Sequence, residues 1–204
     1  MKRTLLLGLL SLLGLVCCNS SDATIPGITA KKNYSEAHAE AKSYCVANGF
    51  NTDYYFLVDL SVHSGKNRFF VYDFMHKKVT DQKLVTHGSC DVPVSHPDRW
   101  QKARFSNTND SHCSALGKYK IGARDKSGWG IKIKYWLQGL EKTNELAQKR
   151  VIVLHSWEAV SDQEIFPDYS PLSWGCPAVS DAFMEKLDKR LQLSKKPVLL
   201  WIVE

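Results

Sequence analysis

The sequence predicts a mainly β domain of the α+β class. Short runs rich in β-branched and aromatic residues recur through the middle of the chain, and turn-forming stretches such as Ser64-Gly65-Lys66-Asn67 separate them. Helical spacing of apolar residues is confined to a segment near the carboxyl end. The chain has 204 residues, of which 44% are hydrophobic and 24% are charged, so a single domain can bury a substantial core.

A short helix is predicted to open the domain, and a helix followed by a strand to close it. Ser35 to Asn48 is helix-prone, is followed by Gly49, and offers Ser35 as its N-cap. Asp181 to Leu191 carries apolar residues at helical spacing. The predicted strands are Tyr54 to Leu60, Arg68 to Phe74, Lys83 to His87, Gly117 to Ile121, Gly130 to Leu137, Arg150 to His155 and Pro197 to Val203.

Residues 1–18 are predicted to be an export signal of the lipoprotein type. Met1-Lys2-Arg3 is basic, and the apolar run from Leu5 to Val16 is too short to span a bilayer. Leu15-Val16-Cys17-Cys18 resembles a bacterial lipobox, with Cys18 as the expected lipid acceptor. Cleavage after Ser21-Asp22-Ala23 is the alternative, and it would release the protein without an anchor.

The polar residues 19–33 contain Pro26 and Gly27, which is typical of a tether, so the folded domain is expected at 34–204. The formal net charge is +6 at pH 7. Because the lysines are scattered over the chain and form no basic stripe, a nucleic-acid partner is not expected.

Cysteine is too sparse for a disulfide framework. Outside the predicted signal the cysteines are Cys45, Cys90, Cys113 and Cys176. Cys90 and Cys113 could pair in an oxidising compartment, which would leave Cys45 and Cys176 free. A zinc site built from His87, Cys90, His112 and Cys113 is the alternative, but adjacent side chains such as His112 and Cys113 rarely face one ion, so no metal is expected.

Cys176 is the candidate nucleophile of the chain. It lies between Gly175 and Pro177, which constrain the backbone and let main-chain amides approach a carbonyl oxygen closely. His155 ends the apolar run Val151-Ile152-Val153-Leu154, which would hold its ring on a rigid strand. One imidazole can take the thiol proton and later protonate a leaving amine. By spacing alone the two residues allow this chemistry without requiring it, since Cys and His are more often structural.

These residues resemble the signature of the L,D-transpeptidase catalytic domain (the YkuD fold), in which a His precedes Ser-His-Gly-Cys. Ser173-Trp174-Gly175-Cys176 fills that place here, and the similarity runs from about Tyr54 to the end of the chain. The other segments that carry it are Val58-Asp59, Ser64 to Phe70, Leu84 to Gly88, Phe105-Ser106-Asn107, Ser114 to Gly117, Gly139-Leu140 and Arg150 to His155. The chain looks most like a divergent murein L,D-transpeptidase branch typical of Gram-negative envelopes.

The resemblance implies a β-sandwich catalytic domain that works in the periplasm, anchored through Cys18 or secreted and soluble. Its activity would be that of a cysteine peptidyltransferase on peptidoglycan stem peptides, through a thioester on Cys176. His155 would be the general base and acid, oriented by a main-chain carbonyl near Ser156. Amides around Gly175 and Cys176 would hold the oxyanion. This route needs no metal or organic cofactor.

Two departures from the common signature lie beside Cys176. Trp174 replaces a second His, and Pro177-Ala178 stands where many relatives carry an Arg suited to a substrate carboxylate, so the signature leaves the substrate preference open. Ser173, Trp174 and His87 are candidate substrate-binding residues. The other interpretation of His87 is a strand-end histidine bonded to backbone.

Two alternative functions remain. With water as the acceptor, the same site would be an L,D-carboxypeptidase or endopeptidase. A non-catalytic wall-binding module could also keep this fold, because fold does not guarantee function. The presence of both Cys176 and His155 argues against the binding module.

Overall fold

The computed structural model describes residues 32–204. The predicted export signal, the predicted lipid acceptor Cys18 and nearly all of the predicted tether at 19–33 lie outside the described residues. Within 32–204 no helix is long and apolar enough to cross a membrane. The elements are α1 (Ser35–Ala47), β1 (Tyr54–Asp59), β2 (Phe69–Asp73), β3 (Lys78–Lys83), β4 (Gly117–Lys126), β5 (Ile133–Gly139), β6 (Val153–Ser156), β7 (Ala178–Val179), α2 (Asp181–Leu193) and β8 (Leu199–Val203).

The described strands form one eight-stranded sheet, in the order β3-β2-β1-β8-β4-β5-β6-β7. Neighbours pair antiparallel except for two parallel pairs, β1 with β8 and β6 with β7. The mainly β fold that the sequence predicts, with its leading helix and its closing helix and strand, is confirmed. The sequence analysis expected a β-sandwich. In the structure, the described strands are hydrogen-bonded side by side in one sheet.

The sheet curves around α2. Phe69 of β2 and Leu154 of β6 come from opposite parts of the sheet, yet both belong to one buried cluster with Phe183 of α2. The Phe69 and Phe183 rings meet edge to face, with centroids 5.2 Å apart. Burying a side chain of this size contributes roughly 1.5–3 kcal/mol. The cluster thereby holds β6, which carries His155, against the rest of the sheet.

Helix α1 packs on the other side of β1. Its buried residues Ala41 and Cys45 share a second cluster with Tyr55 and Leu57. Alternate residues of β1 thus face different clusters, as the two-residue period of a strand requires. Cys45 is fully buried here, and burial raises the pKa of its thiol to about 11, so this cysteine is inert.

The prediction of a strand from Lys83 to His87 was wrong. The strand in this region is β3, which ends at Lys83. Leu84 and Val85 are buried, which explains the strand-like pattern, but the segment then leaves the sheet ladder. Thr86 N donates to Ala178 O at 2.9 Å. The apolar pattern thus reflects the burial of Leu84 and Val85. The backbone hydrogen bond of Thr86, in contrast, is formed with a segment that is distant in the sequence.

Several element boundaries also differ from the prediction. β4 continues to Lys126, beyond the predicted end at Ile121. Tyr34 occupies the N-cap of α1, and Ser35 is the first helical residue. Gly130 lies in a turn with φ 50°, so β5 begins at Ile133. Val151 has φ 56°, and β6 begins only at Val153.

Candidate active site

Cys176 ends a tight turn, residues 173–176, called the cysteine turn below. Ser173 Oγ accepts a hydrogen bond from Gly175 N at 3.1 Å and donates one to Cys176 O at 2.7 Å. Gly175 has φ +106° and lies against Cys113 O, where a Cβ atom would collide. Only glycine fits this conformation and this space without strain. Ser173 and Gly175 therefore set the backbone that presents Cys176.

A second segment, residues 85–89, supports the cysteine turn. Thr86 Oγ1 donates to Cys176 O and accepts from Ala178 N, both at 3.0 Å. His87 O accepts from Ser173 N, and Ser89 N donates to Ser173 O, both at 2.9 Å. These bonds hold the backbone of Cys176 and Ser173 from outside their own loop.

Arg68 is fully buried beneath the supporting segment. Its Nη2 donates to Val85 O at 2.7 Å and contacts His87 Nδ1 at 2.9 Å. Because a guanidinium only donates, His87 Nδ1 must accept, and the ring proton lies on Nε2. Burial and the Arg68 charge lower the pKa of His87 to about 3, and burial lowers the pKa of Arg68 to about 9. His87 is therefore neutral at pH 7.

The side chain of His87 is only 1% exposed, so it does not line an open surface in this structure. Its main chain supports Ser173 instead. A substrate-binding role for His87 stays a prediction, and the same holds for Ser173, whose hydroxyl already bonds within the turn.

The Cys176 sulfur lies against the start of β6. Val153 N donates to Sγ at 3.4 Å, and the thiol contacts Val151 O at 3.6 Å. Parallel pairing places His155 opposite Ala178, two residues beyond Cys176, so His155 and Cys176 lie on neighbouring segments. Burial raises the pKa of Cys176, although the Val153 N–H opposes this. The resting sulfur is thus a thiol that needs a base.

His155 has the protonation state of a base. Its Nδ1 lies 2.9 Å from Ser156 O, the contact with a main-chain carbonyl that the resemblance implied. Since a carbonyl oxygen only accepts, Nδ1 carries the proton and Nε2 keeps its lone pair. Burial lowers the pKa of His155 below its usual 6.5, so the ring is neutral at pH 7. Ser156 is itself held by the bond from Ile131 N to its Oγ at 3.0 Å.

The amides of the cysteine turn differ in what they can bind. Gly175 N is already bonded to Ser173 Oγ. Cys176 N has no hydrogen-bond acceptor among residues 32–204. Trp174 N has no acceptor within this range either. The Cys176 amide, on the residue that carries the sulfur, is thus a donor of this turn that is open to an oxyanion, while Gly175 contributes its conformation.

Comparison with known proteins identifies the family. The YkuD_2 model of the L,D-transpeptidase catalytic domain matches residues 28–201. The chain belongs to the L,D-transpeptidase catalytic domain family. The resemblance drawn from the sequence is therefore confirmed. No curated protein matches the chain significantly in sequence.

Several solved structures are similar to this L,D-transpeptidase domain. The helical cell shape determining protein Pgp2 of Campylobacter jejuni is 13% identical, with 79% of this chain and 54% of that chain covered and a TM-score of 0.44. Bd1075 of Bdellovibrio bacteriovorus is 15% identical, with 76% and 48% covered and a TM-score of 0.43. L,D-transpeptidase 3 of Mycobacterium tuberculosis is 13% identical, with 74% and 60% covered and a TM-score of 0.37. The chain spans about half the length of Pgp2 and Bd1075.

Trp174 is a strongly exposed residue at the surface of the candidate site. It is 74% exposed and stacks on His112, with ring centroids 4.7 Å apart. His112 Nδ1 in turn lies 2.7 Å from Asp91 Oδ1. The indole is thus held from one side beside the nucleophile. Its substrate-binding role stays a prediction.

Cys90 and Cys113 form a disulfide next to this aromatic pair, which decides between the two interpretations left open by the sequence. With both sulfurs bonded to each other, neither is a thiolate that could bind zinc. Within 32–204 no group of three or more potential metal ligands is found. The disulfide instead joins the segment that carries Asp91 to the one that carries His112.

Sequence reasoning missed Thr86 and Arg68 as parts of the candidate site. Thr86 lies in a segment of family resemblance, which could have drawn attention to it. No local pattern shows that its hydroxyl bonds a residue 90 positions away. Arg68 also lies in a segment of family resemblance, but an arginine is rarely fully buried, and no local pattern shows that it bonds Val85 O and His87 Nδ1.

Proposed function

We propose that this domain is a cysteine peptidyltransferase that acts on peptidoglycan stem peptides, with Cys176 as nucleophile and His155 as base and acid. The bond between His155 Nδ1 and Ser156 O carries the proposal. It leaves the Nε2 lone pair free on a neutral, half-buried imidazole, and the strand that carries this imidazole pairs with the segment that follows Cys176. A neutral imidazole and a protonated thiol are the two groups that thiol activation requires.

The first half of the reaction forms a thioester. Cys176 Sγ attacks the carbonyl carbon of the bond between an L- and a D-centre, while the thiol proton moves to His155 Nε2. The Cys176 amide stabilises the resulting oxyanion. The C–N bond then breaks, His155 returns the proton to the leaving amine, and the terminal D-amino acid departs. The donor stem stays bonded to sulfur.

The second half transfers the acyl group. An acceptor amine gives a proton to His155 Nε2 and attacks the thioester carbon. The C–S bond breaks, the sulfur recovers the proton, and a new amide joins two stems. If water replaces the amine, the product is a free acid and the reaction is that of an L,D-carboxypeptidase or endopeptidase.

The proposed location is the periplasm, with a lipid anchor on Cys18 or, after ordinary signal cleavage, as a soluble protein. The Cys90–Cys113 disulfide supports export, since disulfides persist in oxidising compartments.

The test is incubation of the purified protein with defined tetrapeptide-bearing muropeptides, followed by mass spectrometry of products and of the protein. We expect cross-linked or trimmed products with wild type, an acyl adduct on Cys176, and a loss of at least about 10³-fold in Cys176→Ala. Cys45→Ala removes the other free cysteine of residues 32–204, which is buried away from the site, and should keep activity.

Undiminished turnover in Cys176→Ala would show that the nucleophile is assigned wrongly. A folded wild-type protein that binds muropeptides without forming any product would favour the non-catalytic wall-binding module.

A further inference from the structure

Arg150 lies between the cysteine turn and the segment that carries the disulfide. Its Nη1 donates to Ser106 O at 2.9 Å, and its Nη2 donates to Cys113 O at 2.6 Å and to Ser111 Oγ at 3.3 Å. All three acceptors are uncharged. Within residues 32–204 Arg150 forms no ion pair with a carboxylate, so its charge is not neutralised.

The guanidinium is also in contact range of the cysteine turn. A Cβ atom on Gly175 would lie 3.3 Å from Arg150 Nη2 and would collide with Cys113 O, the carbonyl that the same Nη2 holds. Arg150 thus fixes the surface against which Gly175 packs.

The backbone after Arg150 is shaped around the sulfur. Val151 has φ 56°, a left-handed conformation that is strained for a β-branched residue and is typical of functional sites. Val151 O and Val153 N both contact Cys176 Sγ. Residues 150–153 therefore place a carbonyl and an amide against the sulfur and a guanidinium beside the turn that carries it.

We propose that Arg150 is a positioning residue for Cys176 with two effects. Its guanidinium fork fixes Cys113 O against Gly175, and its unpaired positive charge stabilises the Cys176 thiolate that forms when His155 removes the proton. The inference rests on the proposed function, in which the Cys176 thiolate is the attacking group. Formation of the thiolate can nevertheless be measured without turnover.

The other charged or titratable groups that face Cys176 cannot supply this charge equally. Lys134 on β5 is 3.7 Å from Asp125, which partly neutralises it. Tyr119 on β4 donates to Ala115 O at 2.7 Å, and burial raises its pKa, so it stays neutral. His155 is the proton acceptor. Burial lowers the pKa of Arg150, yet the Cys176 thiolate opposes this shift.

The test is the pH dependence of alkylation of Cys176 by iodoacetamide in the whole purified protein, followed by peptide mass spectrometry. Arg150→Met should move the alkylation midpoint up by about 1 pH unit and slow the reaction at pH 7 by about 10-fold. Arg150→Lys should restore most of the midpoint, because the charge returns, but not acyl transfer, because the fork is lost. Arg190→Met, the same change of charge on α2, should leave the midpoint unchanged.

An unchanged midpoint in folded Arg150→Met would overturn the electrostatic effect, and wild-type acyl transfer in Arg150→Lys would overturn the effect of the fork. If Arg150→Met does not fold, Arg150→Gln carries the test, because its amide can still donate to Cys113 O without a charge. A shifted midpoint in a protein that proves inactive on muropeptides would support this inference while contradicting the proposed function.

Discussion

At Gly175 two independent constraints exclude any other residue. The backbone adopts φ +106°, and Cys113 O occupies the place of a side chain. Strain of either kind would move Cys176, which follows directly and whose carbonyl is fixed by Ser173 and Thr86. The smallest side chain is therefore enough to disturb the nucleophile.

Gly175→Ala is expected to lower the free energy of unfolding by about 1–3 kcal/mol and to reduce acyl transfer by at least about 10-fold. Urea unfolding and the muropeptide assay measure the two effects. Gly128→Ala is the matched control, because a Cβ there meets no atom within 4 Å. Equal results for both variants would mean that Gly175 is not under this constraint.

Among the elements, α2 fixes the strand that follows the nucleophile. It begins two residues after β7, and Ser180 between them is its N-cap. Ser180 Oγ accepts from Phe183 N at 3.2 Å and donates to Asp162 Oδ1 at 2.7 Å. The cap thus joins α2 to the loop between His155 and Cys176.

Ser180→Ala is expected to destabilise the protein by about 1–2 kcal/mol, since it removes an N-cap and leaves Asp162 with one partner fewer. Thermal unfolding followed by circular dichroism measures the change. The exposed Ser95 serves as control, and Ser95→Ala should stay within about 0.5 kcal/mol of wild type. A stability loss for Ser180→Ala no larger than that of the control would contradict the role of the cap.

For the whole molecule, burial of neutral histidine links stability to pH. His87 has a pKa of about 3 in the folded protein, against an ordinary value of 6.5. Between these values the unfolded chain binds a proton that the folded protein does not, so stability falls as pH falls. His38, whose pKa burial lowers to about 4, acts in the same direction.

The free energy of unfolding is expected to be highest above pH 6.5 and to decrease from there toward pH 3, by up to about 1.4 kcal/mol per pH unit for His87. Urea unfolding across this range measures the slope. His87→Gln should make the slope shallower. Equal slopes for wild type and His87→Gln would contradict the linkage.

The features that the sequence predicted well are those that depend on residues close together in the chain. Runs of β-branched and aromatic residues predicted β1 and β2, helical spacing predicted α2, and the motif at residues 173–176 indicated the family. The assignments of Cys176 as nucleophile and His155 as base stay predictions, although the sequence correctly placed His155 on a strand. Patterns of this kind depend on short-range geometry, which the order of residues specifies directly.

By itself, then, the sequence determined the fold class and the family, and it predicted the pair Cys176 and His155. Only the tertiary structure decided which groups support that pair: Thr86 on the Cys176 carbonyl, Arg150 beside Gly175, and the Cys90–Cys113 disulfide. It also showed that residues 84–87 leave the sheet. The physical reason is that these contacts join segments far apart in the chain, and the curvature of one sheet around α2 brings them together.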